Sequence, residues 1–191
     1  KLLCLKLCLY FVSRWALLLQ LILPEAEVVL VAKEEKEQIG PKRVILIGGS
    51  SSGKTTVCQY LVQEDLHYHK TQTVQIVNEN LIDTPGEYLE SENFRGALTV
   101  TAADADVIVL VQDATENGTM FWPAYSTMFA KPAVGVVTKS DIATEKQIEI
   151  AKKYLTMAGA RQLFVTSSVA GTGFEDFLEY LGYPKRTEQA E

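Results

Sequence analysis

The stretch Gly48-Gly49-Ser50-Ser51-Ser52-Gly53-Lys54-Thr55 narrows most what this chain can fold into. It matches G-x-x-x-x-G-K-[ST] and lies between the apolar run Val44-Ile45-Leu46-Ile47 and an apolar-faced stretch carrying Val57, Cys58, Leu61 and Val62. That strand–loop–helix context is the one the pattern requires. Small residues let the main chain wrap closely around a β-phosphate, so that successive N–H groups and the positive helix end point at the anion. Lys54 would neutralise β and γ oxygens. Thr55, followed by Thr56, would offer a hydroxyl to Mg²⁺, a hard cation that keeps most of its waters and takes only one or two protein ligands. A Gly/Ser linker with a chance Lys-Thr would reproduce the pattern in roughly one chain in a hundred of this length. The flanking elements lower that further, so residues 48–56 are expected to bind a nucleoside triphosphate with magnesium.

Further along, the runs Val107-Ile108-Val109-Leu110-Val111 and Val134-Gly135-Val136-Val137 are each closed by polar or turn residues. Continuous apolar runs of that length read as strands buried on both faces of a parallel sheet. Helix signals lie between them. Thr144 to Gln147 and Thr172 to Glu175 both match the capping box. Ile148, Ala151 and Leu155 follow the first at helical spacing before Gly159 supplies a stop, and Phe174, Phe177, Leu178 and Leu181 do the same in the second. Strand alternating with helix predicts an α/β domain, a mostly parallel sheet flanked by helices, over residues 42–183.

Leu81-Ile82-Asp83-Thr84-Pro85-Gly86 ends an apolar strand in D-x-x-G. Asp83 would hold magnesium through water, and the Gly86 amide would contact the γ-phosphate. Between this motif and the phosphate loop lies His69-Lys70-Thr71-Gln72-Thr73, where P-loop GTPases carry a threonine that completes magnesium coordination and closes over the γ-phosphate. Thr71 is the first choice and Thr73 the reserve. The nearby His67 and His69 are assigned no role, because two imidazoles in such a loop are more often solvated than metal-bound.

Thr138-Lys139-Ser140-Asp141 ends the strand Val134 to Val137, where guanine-specific members carry N/T-K-x-D. Asp141 would accept two hydrogen bonds from the guanine N1 and N2 donors while the Lys139 stem covers the ring. Adenine lacks that donor pair, and a site built on such hydrogen bonds discriminates by on the order of 10⁴. GTP is therefore expected, with ATP the second choice. Val165-Thr166-Ser167-Ser168, with Gly171-Thr172-Gly173 after it, is similar to the S-A-x-x-G-x-G segment that backs the guanine O6, which adds Ser167 and Ser168 to the base side.

Residues 1–41 have a different composition. Lys1 to Leu23 is almost wholly apolar, with Lys6, Ser13, Arg14 and Gln20 forming a narrow polar stripe on a helix. The stretch is long enough to span a bilayer, but Arg14 near its centre would cost roughly 2.5–3.5 kcal/mol, so membrane contact is not favoured. Val28 to Val31 would add a short strand, and the charged residues 33–38 read as a linker ending at Gly40-Pro41. A fragment of something larger, a mis-started leader and a docking helix for a partner stay equally open. Residues 184–191 read as a polar tail. A formal charge of -6 with no Lys/Arg run longer than a pair argues against nucleic acid, whose binding requires neutralising phosphates. Cys4, Cys8 and Cys58 have no paired zinc spacing and fit a reducing, cytosolic setting.

With these motifs in order, the domain resembles the Era-like branch of small GTPases, a Ras-like G domain, and specifically the EutP/PduV family of ethanolamine and propanediol utilisation. The resemblance rests on the short spacing from Lys54-Thr55-Thr56 to Lys70-Thr71-Gln72, on Asp83-Thr84-Pro85-Gly86-Glu87-Tyr88, and on the compact length; residues 1–41 have no counterpart in it. It implies a cytoplasmic protein associated with bacterial microcompartments that process small aldehydes, where residues 1–41 would reach a shell or assembly partner. It also implies a P-loop fold, and an acetate kinase role is a further implication. Glu87 departs from the pattern, standing where Ras-like enzymes have the glutamine that orients the attacking water. With Lys54 and Thr71 it completes the catalytic set, and slow GTP hydrolysis is expected. Phosphate transfer to acetate and a non-catalytic assembly module are the alternatives.

Overall fold

The computed structural model describes residues 40–62, 72–77 and 79–184. The chain divides into two units, Lys1–Glu37 and Gln38–Glu191, and every described residue belongs to the second. Nearly all of the extension over residues 1–41, together with His67, His69, Thr71 and the tail beyond Pro184, lies outside the described residues.

Among the described residues a six-stranded sheet runs in the order β2-β3-β1-β4-β5-β6. Its strands are β1 (Val44–Ile47), β2 (Gln75–Val77), β3 (Leu81–Asp83), β4 (Val107–Asp113), β5 (Ala133–Thr138) and β6 (Leu163–Val165). β2 is antiparallel to β3, while every other neighbouring pair is parallel. Helices α1 (Lys54–Leu61), α2 (Glu87–Glu90), α3 (Arg95–Ala103) and α4 (Glu145–Met157) lie between strands, and α5 (Glu175–Leu181) follows β6.

The unbroken apolar runs follow from burial on both faces. Side chains alternate along a strand, so Val44, Leu46, Val109 and Val111 join one cluster with Val57, Leu61, Phe177 and Leu181 of α1 and α5. Ile45, Ile47, Ile108 and Leu110 join the opposite cluster with Leu98 of α3 and Ala151 and Leu155 of α4. Phe177 is wholly buried, so Phe177→Ala would destabilise the domain by about 3–5 kcal/mol through lost transfer energy and the cavity left behind.

Helix boundaries follow local chemistry in one of the two expected cases. Thr144 caps α4 in a full capping box with Gln147, and the chain turns away at Gly159. The expected box from Thr172 to Glu175 does not form. Phe174 precedes α5 without a side-chain cap, because the Thr172 main chain exchanges hydrogen bonds of 3.0 and 3.1 Å with Ser167. Its backbone is thus used to shape the loop after β6, and the helix starts beyond it.

Strand polarity brings the motifs together. The phosphate loop follows β1, Asp83 ends β3, Asp113 ends β4, Thr138 ends β5 and Ser167 follows β6. All stand at the carboxyl ends of parallel strands, around the point where chain order reverses about β1, the rim where open α/β sheets bind ligands. No helix among the described residues is long and apolar enough to cross a membrane.

Candidate nucleotide site

The loop from Gly48 to Gly53 leaves β1 and enters α1 at Gly53, whose φ of 92° is a conformation that a side chain would strain. Lys54, 5% exposed, folds back so that its ammonium donates to the Gly48 carbonyl at 2.9 Å and the Gly49 carbonyl at 2.7 Å. Burial lowers its pKa, outweighing the fields of Asp83, Glu90 and Cys58, which raise it. A buried ammonium ringed by loop carbonyls is poised to meet an anion entering that loop.

Thr55 follows on α1, and its Oγ1 donates to Asp83 Oδ2 at 2.8 Å. This places the threonine after the phosphate loop beside the aspartate of the D-x-x-G segment. A hydroxyl and a carboxylate at that separation are hard oxygen donors suited to magnesium; among the described residues no cluster of three His, Cys, Asp or Glu side chains could build an all-protein metal cage. Thr56 is the next residue of α1 and is half-buried. Thr84 fixes the D-x-x-G segment, its hydroxyl donating to the Leu46 carbonyl at 2.6 Å.

Gly86 packs directly on the phosphate loop. A Cβ there would lie 2.3 Å from the Ser50 nitrogen and 2.7 Å from the Gly49 carbonyl carbon, so no larger residue fits. Glu87, exposed, opens α2. Three residues on, Glu90 reaches the loop itself, with its Oε1 accepting from the Ser50 amide at 2.9 Å. Ser51 beside it holds a φ of 60°. Thr71 lies outside the described residues, and Thr73, the reserve, is exposed just ahead of β2.

The residues that the sequence assigns to the base come from the end of β5 and the loop after β6. Thr138 is buried, and its Oγ1 donates to the Ser52 carbonyl at 2.7 Å, tying this side to the phosphate loop. Lys139 adopts a φ of 57°. Its ammonium pairs with Asp113 Oδ2 at 2.6 Å. Ser167, 1% exposed, donates through Oγ to Asp141 Oδ1 at 2.6 Å and accepts from the Ala170 amide at 3.0 Å. Asp141 is thereby oriented by a buried hydroxyl from another strand's end. Ser168 is the adjoining half-buried residue.

Asp113 and Glu90 were not singled out from sequence. For Asp113 a signal existed, a carboxylate closing the run Val107-Ile108-Val109-Leu110-Val111-Gln112. Besides Lys139, it accepts from the Thr115 amide at 2.8 Å and the Thr115 hydroxyl at 2.7 Å. Burial alone would push its carboxyl up, but the hydrogen bonds from Lys139 and Thr115 outweigh that and hold it below the ordinary carboxylate range. Nothing near Glu90 in the sequence marks it, since its partner is 40 residues away.

A family model described as "Ethanolamine utilisation - propanediol utilisation" matches residues 41–183, which hold every motif above. The propanediol utilization protein PduV of Citrobacter freundii is 39% identical over 140 residues, covering 73% of this chain and 93% of its own. The chain belongs to the PduV–EutP family. Another PduV–EutP relative, from Escherichia coli (strain K12) and named "Probable acetate kinase EutP", is 27% identical over 152 residues, covering 78% of this chain and 94% of its own. The family is the one linked to propanediol and ethanolamine utilisation. For the fold, a crystal structure of the bacterial selenocysteine-specific elongation factor EF-Sec superposes with a TM-score of 0.54 at 21% identity, over 74% of this chain. This chain spans 28% of that longer one. The likeness is one of fold, the P-loop fold of a mostly parallel sheet flanked by helices.

Proposed function

We propose that this member of the PduV–EutP family is a small GTP-binding protein that hydrolyses its nucleotide slowly. The reading is carried by Asp141, oriented by Ser167 at 2.6 Å on a rim tied to the phosphate loop by the Thr138–Ser52 bond. A carboxylate there matches the two adjacent donors of guanine, and adenine would leave it unpaired.

On binding, Lys54 would exchange the Gly48 and Gly49 carbonyls for β and γ phosphate oxygens, stabilising charge that develops as the γ-phosphoryl leaves. Thr55 and Asp83 would hold magnesium, which when bound neutralises phosphate charge, and Thr71 would add a ligand from the segment before β2. Gly86 would direct its amide toward the γ-phosphate. Glu87 brings a carboxylate where a water-orienting glutamine acts in faster enzymes, and its repulsion of the γ-phosphate accounts for slow turnover. Water supplies the oxygen that forms the new bond to phosphorus as the bond to the β–γ bridging oxygen breaks. The products are GDP and phosphate.

The names of the relatives support a second reading, in which acetate instead of water accepts the γ-phosphate. Titration of the purified protein with GTP and ATP in magnesium, then product analysis with and without acetate, tests both. Tight GTP binding with slow phosphate release is expected. Acetyl phosphate formation would replace hydrolysis by phosphotransfer, turnover near the roughly 5–20 s⁻¹ of partner-activated GTPases would refute the slow rate, and failure to bind either nucleotide would remove the function. The setting we infer is the cytoplasm, at a microcompartment serving propanediol or ethanolamine breakdown; a fluorescent fusion spread evenly through cells that contain such compartments would refute it.

A further inference from the structure

We infer that Glu90 is a specificity-determining residue of the nucleotide site: its carboxylate holds the place of a γ-phosphate, so the resting site favours a nucleoside diphosphate over a triphosphate. The inference rests on the nucleotide-binding reading above and adds which phosphate chain the site prefers.

Three observations converge on one spot. First, Glu90 Oε1 accepts from the Ser50 amide at 2.9 Å, a main-chain donor of the anion-binding loop. That amide needs an acceptor, and an ionised carboxylate makes a stronger one than a neutral group. Second, Gly86, the residue expected to sense the γ-phosphate, lies against the same amide so closely that a Cβ would stand 2.3 Å from it. α2 therefore begins with its first turn pressed onto the loop. Third, Glu90 is among the carboxylates whose field acts on the Lys54 ammonium. A loop amide, the Lys54 ammonium and Gly86 are also the groups that would receive a γ-phosphate. The carboxylate and the phosphate compete for them, and their like charges repel at close range.

A diphosphate ends short of this contact and can bind with Glu90 in place. A triphosphate must expel Glu90 and lift α2 from the loop. Glu90 and Glu87 share α2, so the same displacement would reorient Glu87 toward the phosphate. Glu90 is exposed, so changing it leaves the core intact.

The test is calorimetric titration of the full chain, and of its Glu90→Gln and Glu90→Ala forms, with GDP and with a non-hydrolysable GTP analogue in magnesium. Glu90→Ala should bind the analogue about tenfold more tightly, equivalent to about 1.4 kcal/mol. GDP, which meets the Glu90 charge only through its field on Lys54 and ends short of the Ser50 contact, should gain less than the analogue, so the ratio of analogue to GDP affinity should rise. Glu90→Gln, which keeps an acceptor without the charge, should fall between. An unchanged ratio of analogue to GDP affinity, or equal gains for both, would overturn the role of Glu90 while leaving nucleotide binding intact. Failure of the parent protein to bind either ligand would remove both readings together.

Discussion

The Thr138 hydroxyl donates to the Ser52 carbonyl at 2.7 Å and thereby fastens the end of β5 to the phosphate loop. Both residues are buried, so the bond couples the end of β5, where we propose the base is read, to the phosphate loop without solvent between them. Thr138→Val keeps the shape and removes the donor, leaving a buried carbonyl without it. A loss of about 1–3 kcal/mol in unfolding free energy is expected, with weaker GTP binding, while Thr138→Ser should retain most of both. Denaturant midpoints and titrations on the two variants check this, and equal behaviour of Val and Ser would sink it.

Asp141→Asn replaces one acceptor with a donor. Guanine affinity should fall and xanthine, which has a carbonyl at C2, should gain; at a site that reads its ligand by hydrogen bonds the swing reaches on the order of 10⁴. Competition between GTP and XTP measures it. Unchanged guanine affinity would remove Asp141 from the site.

The Lys139–Asp113 pair, at 2.6 Å, gives an acid-sensitive contribution. The Asp113 carboxyl is depressed in the folded state, so its contribution is fully present above the unfolded carboxylate value of about 3.9 and is lost as pH falls through the lowered folded value. Asp113→Asn should lower the urea midpoint at neutral pH, and the gap to the parent protein should close on acidification. A gap that stays constant would contradict the assignment.

Lys54 should make nucleotide binding proton-linked. Burial lowers its pKa in the ligand-free fold, so in the window between that lowered value and the unfolded value of about 10.4 the unfolded chain binds more protons and stability rises with pH. A polyphosphate favours the ammonium, so affinity should fall as pH rises through the same window, with proton uptake on binding. Calorimetry in two alkaline buffers of different ionisation enthalpy reads that proton directly. Identical heats in both would exclude it.

Glu87→Gln should speed hydrolysis by removing a charge that repels the γ-phosphate and supplying the amide that orients water in related enzymes. Single-turnover phosphate release measures it. A slower variant would instead make Glu87 a general base.

Much of this was legible because it is local. The pattern of small residues ending in Gly53-Lys54-Thr55 encodes a loop conformation within eight positions. The apolar runs encode strands buried on both faces, and Thr144 with Gln147 encodes a helix start. Thr172 failed as a cap because its backbone partner, Ser167, lies across a loop whose path propensity does not specify.

The residue types of the site and the α/β plan were thus determined by the sequence alone, since short-range sterics, periodicity and capping act within a few positions. The pairings that complete the site were decided by the tertiary structure: Ser167 with Asp141 and Lys139 with Asp113, each 26 positions apart, and Glu90 with Ser50, 40 apart. Such contacts depend on strand order and register, which bring distant strand ends to one rim only after the whole sheet has formed. Charge and hydrogen-bonding capacity are written in each residue, but the partner that satisfies them is chosen by the fold.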